Sequence, residues 1–325
     1  MGCILNNSQI SCQCLKSEVI LIELTHICNL RCIHCFNESG NDNFRMTFME
    51  LEEISKYFLD KGIKKIVLSG GELFCLKDAK EIMSLFKKYE KVQVLTNGTL
   101  LTDDIIQNII DNQINLQVTL NGHNNTIDAV IRGAGAFEQT SKNIIRIIEK
   151  GGNELINISC TLHNMNIEFI EDFILYCKKK LKVKAVQFAF VGRVGRALEI
   201  WDRLKISYTK KVEAINKLVE LQKKYQNEIQ ISFSGMTQFI QDMNVRGDRE
   251  ISCNDYTQEL QINADSSAET CPKFSKYLNC IESKGIHWKD MYEYNFNIDI
   301  DKHQKCETCD GQGGCIIKCS RIVKK

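Results

Sequence analysis

Between residues 18 and 190, short apolar runs alternate with stretches of helical periodicity. The runs cover residues 18–24, 65–68, 92–96, 116–120, 156–162 and 185–190. Each is rich in Val, Ile, Leu and Phe and apolar nearly throughout, as a strand buried on both faces should be. Between them the spacing is helical. Thr47 with Glu50 three residues later makes a capping box, Leu51, Ile54 and Phe58 follow on one face, and Gly62 ends the helix. A second helix carries Ile82, Phe86 and Tyr89, Thr102 opens a third, and residues 137–150 and 167–181 fit a fourth and a fifth. Six β–α units in sequence imply an α/β fold with a parallel sheet and right-handed crossovers, either an open doubly wound sheet or a barrel.

After residue 190 the rhythm changes. Val212, Ile215, Leu218 and Val219 mark one more amphipathic helix, and from Cys253 onward periodicity is weak. The expected organisation is an N-terminal extension over 1–16, an α/β core over 17–200, a helical bridge over 201–250 and a small domain over 251–325. That last segment carries Cys253, Cys271, Cys280, Cys306, Cys309, Cys315 and Cys319. Its core is thin, the situation in which metal substitutes for apolar burial.

Composition narrows the class. The chain has 325 residues, is 43% hydrophobic, and sets 42 Lys and Arg against 41 Asp and Glu. A net charge near zero argues against a broad nucleic-acid or anionic-membrane footprint. No apolar stretch approaches the ~18 residues of a membrane span, and the polar N-terminus lacks a secretory core. Met1-Gly2-Cys3 starts as an acylation signal does, but Asn6 stands where Ser or Thr is wanted. A cytoplasmic location is expected, with no nucleic acid and no membrane as partner. In that reducing compartment the 16 cysteines read as metal ligands before disulfides.

Directly after the first run stands Cys28-Asn29-Leu30-Arg31-Cys32-Ile33-His34-Cys35, a CxxxCxxC motif. Three thiolates leave a tetrahedral zinc site one ligand short unless His26 or His34 completes it. They suit a [4Fe–4S] cluster with three irons anchored and one open. Ser69-Gly70-Gly71-Glu72 follows the second run. Its glycines allow a ligand near the backbone and Glu72 can take an ammonium group, although alone it is also an ordinary β–α turn. Thr96-Asn97-Gly98 and Thr119-Leu120-Asn121-Gly122 end the third and fourth runs. In a parallel barrel all these residues lie at the C-terminal strand ends, where active sites are built.

Together, over residues 17–200, these motifs resemble the radical S-adenosylmethionine (SAM) superfamily. The resemblance implies a partial (β/α)6 TIM-like barrel with the cluster on Cys28, Cys32 and Cys35 and SAM chelated to the open iron. It implies that Glu72, with Ser69, Gly70 and Gly71, binds the methionine amino group, and that His34 contacts the adenine. Asn97 would line the same site, and Thr119 and Arg132 would approach the carboxylate and ribose side. Leu73 replaces a frequent Pro and Asn121 a frequent Asp.

The C-terminal spacing Cys306, Cys309, Cys315, Cys319 is CxxCx5Cx3C, with Cys253 and Cys271 upstream. Read alone it also fits one structural zinc. Behind such a core it resembles the SPASM domain, which usually holds two auxiliary iron–sulfur clusters. That resemblance implies one cluster on Cys253, Cys271 and Cys319 and another on Cys306, Cys309 and Cys315, so one or two auxiliary clusters are expected. Ser266 replaces the usual glycine five residues before Cys271 and the final cysteine of the pattern is absent; Cys280 is the candidate substitute ligand, with an open iron or a single-cluster domain as the alternatives.

Of the other cysteines, Cys160 and Cys177 fit small buried hydrophobes, while Cys75 and Cys160, near the barrel mouth, are candidate hydrogen donors to a substrate radical. Cys12-Gln13-Cys14 fits an auxiliary ligand or a flexible thiol pair. Residues 192–196, Gly-Arg-Val-Gly-Arg, fit an anion or substrate-backbone site, or solvated arginines. The expected function is an oxidoreductase-type peptide maturase. It abstracts hydrogen from a ribosomally made peptide and forms a thioether or other crosslink. Epimerisation and formylglycine formation on a sulfatase are the alternatives; an iron–sulfur electron carrier or a zinc-stabilised binding module is the reading from another class. Partners implied are the peptide or protein substrate, an electron donor such as flavodoxin or ferredoxin, and a separate leader-binding protein, since about 16 residues precede the first strand.

Overall fold

The computed structural model describes residues 19–234 and 259–269, three short strands outside them, and His287 and Lys289. The chain runs β1 (Ile4–Asn6), β2 (Gln9–Ser11), β3 (Val19–Glu23), α1 (Phe48–Asp60), β4 (Lys65–Ser69), α2 (Ala79–Leu85), β5 (Lys91–Thr96) and α3 (Asp103–Asp111). It continues through β6 (Asn115–Thr119), α4 (Asn125–Arg132), α5 (Ala136–Glu149), β7 (Ile156–Leu162), α6 (Ile170–Tyr176) and β8 (Ala185–Phe190). Then come α7 (Trp201–Leu204), α8 (Tyr208–Lys224), β9 (Gln230–Ser234), β10 (Glu259–Ile262), β11 (Ala268–Glu269) and β12 (Asn297–Asp299).

Strands β10, β3, β4, β5, β6, β7, β8 and β9 lie side by side in that order, each parallel to its neighbours. This is the expected parallel α/β sheet with partial-barrel character. It reaches beyond the sixth strand on both sides. Residues 230–234, inside the stretch expected as a helical bridge, pair with β8. Residues 259–262, inside the expected small domain, pair with β3, and β11 turns back antiparallel on β10. Ser266, in that β10–β11 turn, has φ +62°, the left-handed conformation a glycine would adopt most readily. Strands β1, β2 and β12 form a separate antiparallel sheet.

Helices α1, α2, α3, α5, α6 and α8 all bury their apolar stripes against one face of the large sheet. Ile22, Leu68, Val94, Val118, Ile158 and Val186 meet them there. The opposite face carries Gln93, Gln117, Asn157, Ser159, Gln187 and Ser232, all half-buried. Gln93 Nε2 donates to Gln117 Oε1 across neighbouring strands at 2.9 Å. Strands β5, β6, β7 and β8 are therefore not apolar on both faces, as their composition suggested, whereas β3 and β4 still place Val19, Leu21 and Val67 on this face. Those four alternate, so the sheet has an apolar outer face and, across β5 to β8, polar side chains on the concave one. Among the described residues no helix is long and apolar enough to cross a membrane.

The α1 capping box forms as read: Thr47 Oγ1 accepts from Glu50 N at 3.3 Å and Thr47 N donates to Glu50 Oε2 at 2.7 Å. Thr102 caps α3 by accepting from Ile105 N. Helix α2 stops before Phe86 and Tyr89, which pack into the core from the following turn.

Candidate functional site

The cysteine motif lies on the loop leaving β3. The loop's base is fixed by Thr25, whose hydroxyl donates to the Phe44 carbonyl, and by the His26 N–H, which donates to the same oxygen at 2.8 Å. Cys35 N donates to the Cys32 carbonyl at 3.1 Å, which closes the turn between the last two cysteines. Cys28, Cys32 and Cys35 are half-buried free thiols. They lie near enough that Cys35 raises the pKa of both Cys28 and Cys32, after burial, the main cause. Burial pushes Cys32 up to about 12. Among the described residues no three His, Cys, Asp or Glu side chains converge on one point as a single ion requires. A cluster that anchors each cysteine to a different iron makes no such demand.

The turn after β4 packs against this loop. Gly71 N donates to the Thr25 carbonyl at 2.6 Å and Glu72 N to the Ile27 carbonyl at 2.8 Å. A Cβ on Gly70, whose φ is +124°, would sit 2.5 Å from the Thr25 oxygen, and one on Gly71 would sit 2.2 Å from that of Ile27. The glycines thus admit the cysteine loop's own backbone, where the sequence suggested a ligand. The Ser69 carbonyl accepts from Leu24 N, which joins the same two segments.

Glu72 is 1% exposed. Thr96 donates its hydroxyl to Oε1 at 2.8 Å, Asn97 N donates to Oε2 at 2.7 Å, and Phe74 N donates to Oε1 at 3.2 Å. Burial raises its pKa above the usual carboxylate range, and these three donors oppose the rise. Among the described residues no lysine, arginine or histidine forms an ion pair with it; Arg132 acts on it only from a distance. Asn97 also donates from Nδ2 to Asn29 Oδ1 at 2.9 Å and to Cys28 Sγ at 3.9 Å. Asn29, which follows the first cysteine, donates to Thr99 Oγ1 at 2.8 Å. Sequence reasoning passed over Asn29, though its place inside CxxxCxxC was a signal.

His34 meets the loop after β6. Asn121 accepts on Oδ1 from Thr161 N at 2.9 Å, so its Nδ2 faces His34 Nε2 at 3.2 Å as donor. Nε2 therefore accepts, and the proton sits on Nδ1, a buried atom with no hydrogen-bond partner among the described residues. Burial and the neighbouring His163, Arg132 and Arg196 hold His34 down to about 3, so the ring is neutral. Thr119 stands at the end of β6, in register with Ser159 on the concave face.

The Arg132 side chain is fully buried. It donates to the Asn97 carbonyl at 2.6 Å and to Thr140 Oγ1 at 3.0 Å, and faces Asp128 at 3.5 Å. It braces the Asn97 loop from behind. Cys160 is 2% exposed and belongs to the helix-facing core, because strand alternation sends Ser159 and Thr161 to the concave face instead. Cys177 is buried there too, as read. Cys75 does reach the site: its thiol points to Asn29 Oδ1 at 3.9 Å, and burial, Glu72 and Cys28 push it up to about 11. The auxiliary candidates Cys253, Cys271, Cys280, Cys306, Cys309, Cys315 and Cys319, like Cys12 and Cys14, lie outside the described residues.

Three thiols, a buried carboxylate without a cation and an unpartnered imidazole N–H therefore share one end of the sheet. Residues 22–177 match the Radical SAM superfamily. Those residues resemble a radical SAM domain, a match over just under half of the chain. Such a domain implies a [4Fe–4S] cluster and SAM, and the donor set just described fits both.

The chain is 26% identical over 316 residues to the antilisterial bacteriocin subtilosin biosynthesis protein AlbA of Bacillus subtilis, covering 91% of this chain and 66% of AlbA. It is 24% identical over 186 residues to the sporulation killing factor maturation protein SkfB of the same organism, covering 55% of this chain and 42% of SkfB. A probable GTP 3',8-cyclase of Methanocella arvoryzae is 41% identical over 81 residues, covering 25% of this chain and 26% of the cyclase. The chain thus spans less than two thirds of these relatives. Among solved structures, Streptococcus suis SuiB bound to S-adenosylmethionine superposes with a TM-score of 0.67 at 15% identity, over 94% of this chain and 74% of SuiB. The protein anSMEcpe with bound AdoMet gives 0.64 at 18%, over 91% and 88%. These two likenesses concern the fold.

Proposed function

We propose that this chain is a radical SAM peptide maturase, and that Cys28, Cys32 and Cys35 hold the [4Fe–4S] cluster. The observation that carries the reading is the grouping of these thiols with Glu72 and the unpartnered Nδ1–H of His34 at one end of the sheet. Glu72 takes the ammonium of SAM, with Asn97 and Thr96 orienting its carboxylate, and His34 donates to the adenine. When bound, the cluster and SAM supply an electron and a 5′-deoxyadenosyl radical that takes hydrogen from the substrate. The chain's part is to hold the reacting atoms together away from water on the concave face.

A peptide substrate is supported by AlbA and SkfB, by the SuiB structure bound to precursor peptide SuiA, and by anSMEcpe with bound peptides. The half-buried amides and hydroxyls of Gln93, Gln117, Asn157, Ser159 and Gln187 suit peptide groups. A thioether or other crosslink is the product we favour. The C-terminal cysteines then form auxiliary clusters of SPASM type, in a cytoplasmic enzyme served by a flavodoxin or ferredoxin and a leader-binding partner. Cys75 supports epimerisation as a second reading, since a neutral thiol at the site is the hydrogen donor that reaction needs.

Anaerobic reconstitution followed by reduction with dithionite tests the proposal. Iron binding and 5′-deoxyadenosine release are expected; release is lost in Cys28→Ala, Cys32→Ala and Cys35→Ala, while iron falls only by the share of that one cluster. Release that persists in these variants overturns the cluster assignment, and turnover of GTP without any peptide overturns the substrate class.

A further inference from the structure

The loop after β8 lies directly on the cysteine loop. Arg196 Nε donates to the Cys32 carbonyl at 2.9 Å, its NH1 to the Ser39 carbonyl at 3.1 Å, and its backbone N–H to the Cys35 carbonyl at 3.1 Å. Gly195, at φ +56°, allows this approach: a Cβ there would sit 2.3 Å from the Cys35 oxygen and 2.4 Å from that of Phe36. Ile33 packs with Ala197 in a small apolar cluster beside the contact. Among the described residues no carboxylate pairs with Arg196. Gly195 and Arg196 therefore face the protein's own backbone.

We propose that Gly195 and Arg196 form a positioning clamp that holds the cysteine loop in its ligating shape before metal arrives, and that the Arg196 charge favours the reduced state of the bound cluster. The second part rests on the cluster assignment above; the first does not. Three carbonyls of the ligating segment would otherwise seek solvent or rearrange, and hydrogen bonds from a cation are the stronger kind. A fixed positive charge beside a cluster stabilises an added electron, since net charge and hydrogen bonding set such potentials.

Hydrogen exchange on the metal-free full-length chain tests the clamp. In Arg196→Gln, amides of residues 28–40 are expected to exchange about tenfold faster, while those of β5, β6 and β7 stay unchanged. Gly195→Ala should act in the same direction, and Arg196→Lys should restore part of the protection. In reconstituted protein, Arg196→Gln should lower the one-electron reduction equilibrium up to about tenfold, equivalent to about 59 mV, and Arg196→Lys should return it. Unchanged exchange in both Gln and Ala variants overturns the clamp, and an unchanged potential overturns the electrostatic part. If wild type takes up no iron yet shows the exchange difference, the clamp stands and the cluster assignment fails.

Discussion

The Glu72 carboxylate accepts the Asn97 N–H at 2.7 Å, so the acid after β4 and the loop after β5 are fixed to each other. Its pKa is raised by burial, so as pH falls it takes up its proton sooner than an ordinary carboxylate. An ammonium ligand needs the charged form. SAM affinity should therefore weaken as pH falls toward and below the raised value, and Glu72→Gln should weaken it about 10- to 100-fold and flatten the profile. Calorimetric titration of reconstituted protein between pH 8 and 5 checks both. Equal affinity of variant and wild type would remove Glu72 from the site.

Asp128 and Arg132 stand one turn apart on α4, both fully buried. Asp128 accepts from Asn121 N while Arg132 holds the Asn97 carbonyl, so this pair ties the loops after β5 and β6 together. Arg132→Met leaves a buried carboxylate alone and should cost about 3–5 kcal/mol in urea unfolding. Adding Asp128→Leu should recover much of that loss. A single variant as stable as wild type would contradict the bracing role.

Burial holds His163 down to about 4, and its ring accepts from Met165 N at 3.2 Å. The unfolded chain protonates this histidine near its ordinary value of 6.5, the native one only near 4. Its contribution is thus complete above pH 6.5 and lost as pH falls toward 4, a change on the order of 3 kcal/mol. Glu72 shifts in the opposite sense, so the comparison to make is between wild type and His163→Asn. The variant's melting temperature should decline less between pH 7 and 5; parallel declines would refute the assignment.

Thiol reactivity separates the two cysteines first grouped as hydrogen donors. Cys75, held near 11, should react with iodoacetamide at pH 8 about 100-fold more slowly than an unperturbed thiol of pKa 9.0. Cys160, enclosed in the core, should remain unlabelled until the protein unfolds. Peptide mapping of metal-free protein decides it, and early labelling of Cys160 would place that side chain on the concave face.

The strand runs, the capping residues Thr47 and Thr102 and the cysteine motif were legible because each is a local pattern. The polar face was harder. Gln93, Gln117, Asn157 and Gln187 alternate strictly with aliphatic residues, but composition alone made the runs look uniformly apolar. Helix α4 was missed because its eight residues are too short for a repeating apolar stripe; its signal was Asn124, which caps it by accepting from Ile127 N, and the Asp128–Arg132 spacing. The contact of Arg196 with Cys32 spans 164 residues and has no local trace. Gly70 and Gly71 were recognised as places of close approach, but what approaches was decided by tertiary packing.

Strand β3 sits between β4, which follows soon after it in sequence, and β10, which comes more than two hundred residues later. A chain cut after β9 but before residue 259 keeps the cysteine loop but leaves the aliphatic strand that launches it unpaired along one side. Such an open edge recruits other strands, so the barrel segment expressed alone is an aggregation hazard beside its own metal-binding loop.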